Sequence, residues 1–305
     1  FAQLLPAERV EHLRRDVFGA LAAGVPANRD RRPIAYFAQI RLWDRLSGSG
    51  LSGMLSSWHR HPWTWSGGVL VLLAVGGLLL RRRHGPAAVS LASTGMVGMG
   101  ADLLILLLYQ TAVGTLYLNV GLVVAVFMCG LGAGALAGNR WRLRVRRAPA
   151  LADLAWVALL LAWIPLLGLL PRLAPSAAEA AILALAALCG VLTALPFPWV
   201  AALLAQREAD RRALARGLPA SSDPAGGSRA RVAAIAGGQA DAIDHYGAFF
   251  GALLTGTLLV PLLGFTATLG LLAGVKLLSA LAWVGGKPAA TPRAAQLRRA
   301  ASVSA

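Results

Sequence analysis

The sequence predicts an all-α protein: a polytopic transmembrane helical bundle of six or seven spans, preceded by a small extramembrane helical segment. Three observations predict it. Of 305 residues, 57% are hydrophobic and 14% charged, and mean hydropathy is +0.63, whereas soluble domains carry about a quarter charged residues. Several apolar runs reach the roughly 18–20 residues needed to cross a bilayer. The arginines gather in short clusters between those runs.

Residues 1–62 differ from the rest. "LLPAERVEHLRRDVFGAL" has helical apolar spacing with charges on the opposite face, so it predicts an amphipathic helix outside the membrane. "GVPANRDRRP" is turn-rich, "IAYFAQIRLWDRL" is a second short amphipathic segment, and "SGSGLSG" is a flexible joint. So little material buries little core, which predicts that this piece completes a larger domain or packs on a partner. The chain opens on Phe1 without the basic, apolar and cleavage regions of a signal peptide, and reads as a fragment or processed product.

"SSWHRHPWTW" follows, clustering Trp58, Trp63 and Trp65 before an apolar run. Tryptophan favours the headgroup layer, so interfacial anchoring is expected. His59 and His61, an i, i+2 pair without nearby Cys or carboxylate, make a weak ligand set.

Seven candidate spans follow, at 63–80, 86–110, 112–138, 150–171, 178–205, 244–263 and 265–286. The first is the shortest. The connections 81–84, 139–147 and 206–243 and the tail 287–305 hold three, five, six and four Lys or Arg residues, and the opposite connections hold only Arg172. Basic loops stay inside. The C-terminus is therefore expected to be cytoplasmic, and residues 1–62 non-cytoplasmic if 63–80 crosses. "QREADRRALA" continues its span as a helical extension, and "RGLPASSDPAGGSRA" (216–230) reads as a loop.

A net charge of +16 and a pI near 11.6 invite a nucleic-acid reading. The placement of the arginines at span ends argues for membrane topology instead, with the lipid bilayer and other protein subunits as the partners. No cofactor or metal is expected. The five histidines lie outside spans or at their ends, no P-loop or Ser-His-Asp set occurs, and Cys129 and Cys189 match no zinc or redox spacing and read as small packed residues.

"CGLGAGALAG" (129–138) imitates a dinucleotide fingerprint, but no strand precedes it. Gly130, Gly134 and Gly138 recur every fourth residue and predict a smooth face for close helix packing, as do Gly247 with Gly251 and Gly270 with Gly274. Pro196 and Pro198 predict a kink inside a span. Asp102 is an acid at membrane depth, and Lys276 is the one lysine inside a span. Counted inward from the outer surface, Asp102 lies roughly 12 Å deep, Lys276 roughly 16 Å and Asn119 roughly 10 Å. A shared polar layer of Asp102, Asn119 and Lys276 is expected, as a buried structural pair or as a proton or ion relay.

Three stretches together resemble membrane-embedded spermidine-synthase-like proteins. Residues 93–138 resemble that family's helical hairpin, with Asp102 where its acid is usually Glu and with Phe127, Met128, Gly130 and Leu131 in its closing pattern. "LPFPWVAALL" resembles its Pro-Phe-Pro helix, and Asp244, Gly247, Ala248, Gly251 and Ala252 match its Asp-x-x-Gly-Ala-x-x-Gly-Ala segment. "NRDRRPIAYF" resembles the stretch that closes its aminopropyltransferase-like domain. The resemblance implies a catalytic core before Phe1. No residue here matches that core, so no catalytic residue is carried over.

The expected organisation is a remnant of a spermidine-synthase-like domain at 1–62, a transmembrane domain at 63–286 and a basic cytoplasmic tail at 287–305. The expected function is a non-catalytic anchor or scaffold in a bacterial-type inner membrane, positioning such a domain or a partner subunit. The alternatives are a transporter using an Asp102–Lys276 layer, and an aminopropyltransferase whose core lies upstream.

Overall fold

The computed structural model describes residues 61–114, 116–141, 148–215 and 226–283, with scattered positions before them. The predicted helices of residues 1–62 and the tail 287–305 lie outside the described residues. Within them every regular element is helical: α1 (Pro62–His84), α2 (Pro86–Ala112), α3 (Leu116–Arg140), α4 (Ala148–Leu169), α5 (Pro175–Ala194), α6 (Phe197–Ala215), α7 (Gly226–Leu254) and α8 (Val260–Leu281). A 3-10 turn, Leu170–Arg172, closes α4, and a π-helical turn, Thr255–Leu259, joins α7 to α8.

Five stretches are long and apolar enough to cross a membrane: Pro86–Ala112, Asn119–Arg140, Ala148–Arg172, Pro175–Ala213 and Ala230–Leu281. The predicted span 63–80, inside α1, is not among them. α1 is a 23-residue helix whose Val71, Leu72, Val75, Leu78 and Leu79 are exposed along one stripe. The last stretch is folded back on itself. Gly264 takes φ 79°, a left-handed conformation that glycine adopts without steric penalty. Beyond it Leu272 reaches Gly100 of α2, and Lys276 reaches Ser93 and Thr94. The leg after Gly264 therefore runs antiparallel to α2, as a reversal near 264 predicts.

α2 is the axis of the bundle. In its apolar window 72% of residues are buried, against 22% in the windows of α3 and α4. Its sequence explains this, because glycines let neighbouring backbones come close. A Cβ on Gly95 would lie 2.2 Å from the Asp244 carbonyl of α7, and one on Gly98 would lie 2.6 Å from Thr193 Oγ1 of α5. In return, Gly247 and Gly251 of α7 sit over the Ala92 and Met96 carbonyls of α2. Trp156, Leu160 and Trp163 of α4 fill the core between Leu104 and Ile105 of α2, Ile182 and Cys189 of α5, and Leu269 and Leu272 of α8.

The stripe of Gly130, Gly134 and Gly138 packs as predicted, on the Ala187, Val191 and Leu195 carbonyls of α5, with Gly190 answering against Phe127. The matching prediction for Gly270 and Gly274 is overturned: neither has an atom within 4 Å of a Cβ built there. Four-residue spacing puts glycines on one face, but only a facing helix turns that face into an interface. Cys189 is buried, whereas Cys129 is exposed and not a packed core residue.

The proline break lies at Leu195–Pro196, between α5 and α6. Pro196 has no N–H to offer the Leu192 carbonyl, and Trp156 Nε1 donates to that oxygen instead at 3.2 Å. Trp199 Nε1 likewise donates to the Gly138 carbonyl at 2.7 Å, near the end of α3. α7 starts at Gly226, well before the predicted 244. Val232, Ala236 and Ala240 recur every fourth residue and are buried, Ala236 and Ala240 in one cluster with Val200 and Leu204 of α6. Small apolar residues at helical spacing thus extend α7 ahead of the predicted span.

Gly134→Ala should destabilise the chain by about 1–3 kcal/mol, because its Cβ would lie 2.3 Å from a backbone oxygen. Gly270→Ala should fall within about 0.5 kcal/mol of the parent. Thermal denaturation in detergent measures both, and equal losses would discard this packing account.

Candidate functional site

The one intramembrane lysine is fully buried, and it is paired. Lys276 Nζ lies 2.7 Å from Asp153 Oδ1, with both side chains at 0% exposure. The same ammonium donates to Thr94 Oγ1 at 2.7 Å and approaches Ser93 Oγ at 3.3 Å. Asp153 is held in turn: Ser279 Oγ donates to Oδ2 at 2.7 Å and Ser90 Oγ to Oδ1 at 3.1 Å. An ammonium has three donors, and here each meets an oxygen. The cluster joins α2, α4 and α8 through side chains alone.

Each helix delivers its part for a local reason. Ser93 and Thr94 sit one turn after Ser90 and turn their hydroxyls back to its carbonyl, at 2.9 and 2.7 Å. This is the common bond of such residues inside helices, and it leaves their oxygens free to accept from Lys276. Lys276 and Ser279 are three residues apart, hence neighbours on one face of α8. Asp153 stands five residues after the start of α4.

The predicted layer of Asp102, Asn119 and Lys276 is therefore corrected. Lys276 pairs with Asp153, and neither Asp102 nor Asn119 is among its partners. The depth count took the outer ends of the helices as flush. The contact of Leu272 with Gly100 instead puts Phe265 roughly 5 Å deeper than Gln110, by helical rise. Asp102 lies eight residues beyond Thr94, roughly 12 Å further along α2 and about 80° around it. Asp102 is 9% exposed, and its Oδ1 is buried without a hydrogen-bond partner. Asn119 stands half-buried near the start of α3.

Asp153 carries half of the pair and was not singled out from the sequence. Its signal was available: an acid inside an apolar helix, six residues past the basic connection 139–147. Asp244 of α7 lies against Gly95 of α2, and its Oδ1 is also buried and unpartnered. Tyr109 at the far end of α2 donates to Glu179 Oε1 of α5 at 2.5 Å. Among the described residues no three His, Cys, Asp or Glu side chains converge in the manner of a metal site.

No family model, curated protein or solved structure matches the chain.

Asp153→Asn or Lys276→Met alone should cost about 3–5 kcal/mol, because each strands a buried charge. Asp153→Leu with Lys276→Met should recover most of that loss, since the remaining hydroxyls can bond to their own helix carbonyls. Asp102→Asn breaks no ion pair and should stay within about 1 kcal/mol of the parent. Unfolding midpoints of the four variants in one detergent check this. A double variant as unstable as the sum of its parts would defeat it.

Proposed function

We propose that the chain is a rigid membrane anchor or scaffold that holds a domain or partner subunit at the bilayer. The observation that carries this reading is the enclosure of the Lys276–Asp153 pair. Its charges face each other and four hydroxyls, at 0% exposure. A charge used for transport must meet water or substrate at some stage; this pair spends its contacts tying three helices together.

In this reading the membrane is a bacterial-type inner membrane with the basic ends on the cytoplasmic side. Six crossings arise because the 52-residue stretch Ala230–Leu281 reverses at Gly264, and α1 is the seventh. The likeness to membrane-embedded spermidine-synthase-like proteins belongs to the same proposal, with residues 1–62 as the attachment to an aminopropyltransferase-like domain. Of the residues behind the likeness, Gly130, Gly247 and Gly251 pack helix against helix.

A proton or ion transporter is the second reading. What favours it is Asp102, with Asp244 nearer the basic end, each holding an unpartnered carboxylate oxygen inside the bundle.

Two measurements test the proposal. In proteoliposomes under an imposed pH gradient, dye-reported proton flux should match that of empty vesicles; flux lost in Asp102→Asn would favour the transporter. In intact cells, an impermeant maleimide should label Ser52→Cys in a Cys129→Ser background. Labelling only after permeabilisation would mean that α1 does not cross.

A further inference from the structure

A cluster of arginines lies where α1 meets α6. α1 closes on Arg81, Arg82, Arg83 and His84, and Gly85, at φ 81°, turns the chain into α2. α6 continues past the apolar bundle and brings two arginines back to this corner. Arg207 Nη1 donates to the His84 carbonyl, and Arg211 Nη2 donates to the Arg83 carbonyl at 2.7 Å. The space beside Gly85 is taken by the Arg207 guanidinium, which a Cβ there would overlap.

These contacts do more than cap a helix. They fix two guanidinium groups at the end of α1 that carries Arg82 and Arg83, and all four arginines are exposed. A guanidinium has five N–H donors in a planar fork that fits phosphate oxygens. Glu208 is held by Arg212 at 2.8 Å, and Asp210 is the other acid on the two helices. His84 lies in this field: its burial first, then the charges of Arg211, Arg83 and Arg207, hold its imidazole below the ordinary range.

The exposed apolar stripe of α1 supplies the second half. Val71, Leu72, Val75, Leu78 and Leu79 lie on one face, and the next positions of that face, three and four residues past Leu79, are Arg82 and Arg83. A hydrocarbon face running into a cluster of guanidiniums matches one ligand class, a molecule with an acyl chain below a phosphate. We propose that this corner is a binding site for an anionic phospholipid, its headgroup phosphate on Arg82, Arg83, Arg207 and Arg211 and an acyl chain along Leu72–Leu79. A free phosphate would use the same arginines and leave the apolar stripe unused.

The test uses the full chain in detergent micelles, with lipid retention read by native mass spectrometry. Phosphatidylglycerol and phosphatidylcholine of the same acyl chains are the probes. The parent should retain phosphatidylglycerol preferentially. Arg82→Gln with Arg83→Gln spares both carbonyl contacts, which use only the backbone of residues 83 and 84. It should lower phosphatidylglycerol affinity about thirty-fold and leave phosphatidylcholine unchanged. Arg140→Gln, an exposed arginine at the end of α3, should leave both unchanged. Equal retention of the two lipids by the parent would overturn the proposal, as would an equal loss in Arg140→Gln. Displacement of phosphatidylglycerol by millimolar inorganic phosphate would overturn it in favour of a free anion.

Discussion

The contact between Lys276 and Asp153 sets the terms for the rest of the bundle. Lipid cannot solvate an ammonium or a carboxylate, so either charge alone would have to leave the membrane or be neutralised. Together, with Ser90, Ser93, Thr94 and Ser279 around them, they fix the rotation and the height of three helices at once. Apolar packing alone is more permissive, because a leucine surface slides past lipid and protein at similar free energy. The pair therefore specifies register more than it adds stability. A well-packed apolar replacement is often as stable as a buried ion pair, but in this bundle it would not tell α4 and α8 where to stop.

The second constraint is that every backbone polar group needs a partner inside the hydrocarbon. Where the chain breaks a helix, side chains repair the loss. Trp156 donates to the carbonyl that Pro196 leaves without a donor, and Trp199 and Arg207 serve the ends of α3 and α1. These repairs explain why a bundle with a proline break, a π turn and a left-handed glycine still packs closely. They also tie the break to its surroundings, since Trp156 sits one turn beyond Asp153 on α4. The proline break of α5 and α6 and the ion pair thus share a helix.

Much of this was legible in the sequence, and the reasons for the rest are physical. The helical class, the approximate spans and the clustering of arginines follow from composition and run length. The contact of α1 with α6, and of α3 with Trp199, brings three basic connections to the same end. Gly130, Gly134 and Gly138 were read correctly because their stripe meets another helix. Gly270 and Gly274 have the same spacing and meet nothing, a difference that no single helix records. The partner of Lys276 was missed for a related reason. Choosing between Asp102 and Asp153 requires the relative heights of α2, α4 and α8, and those depend on a turn that lies deeper than a flush bundle would have it.

The depths of the acids point to different roles. Asp153 is five residues from the start of α4 and Lys276 five from the end of α8, roughly 8 Å by helical rise. From that depth the long Lys276 side chain can carry its ammonium toward the headgroup layer while its helix is still unpaired, and the shorter Asp153 stays near the same end of its own helix. Assembly then brings two charges together without either having crossed the hydrocarbon centre alone. Asp102 has no such route. It stands sixteen residues after Pro86 and ten before Ala112, near the middle of α2, and among the described residues no lysine or arginine pairs with it. An architecture that places its one pair where insertion is easiest has little structural use for a lone acid at mid-depth. Asp102 is the side chain that the packing of the bundle does not explain, which separates the question of what the bundle is built on from the question of what it does.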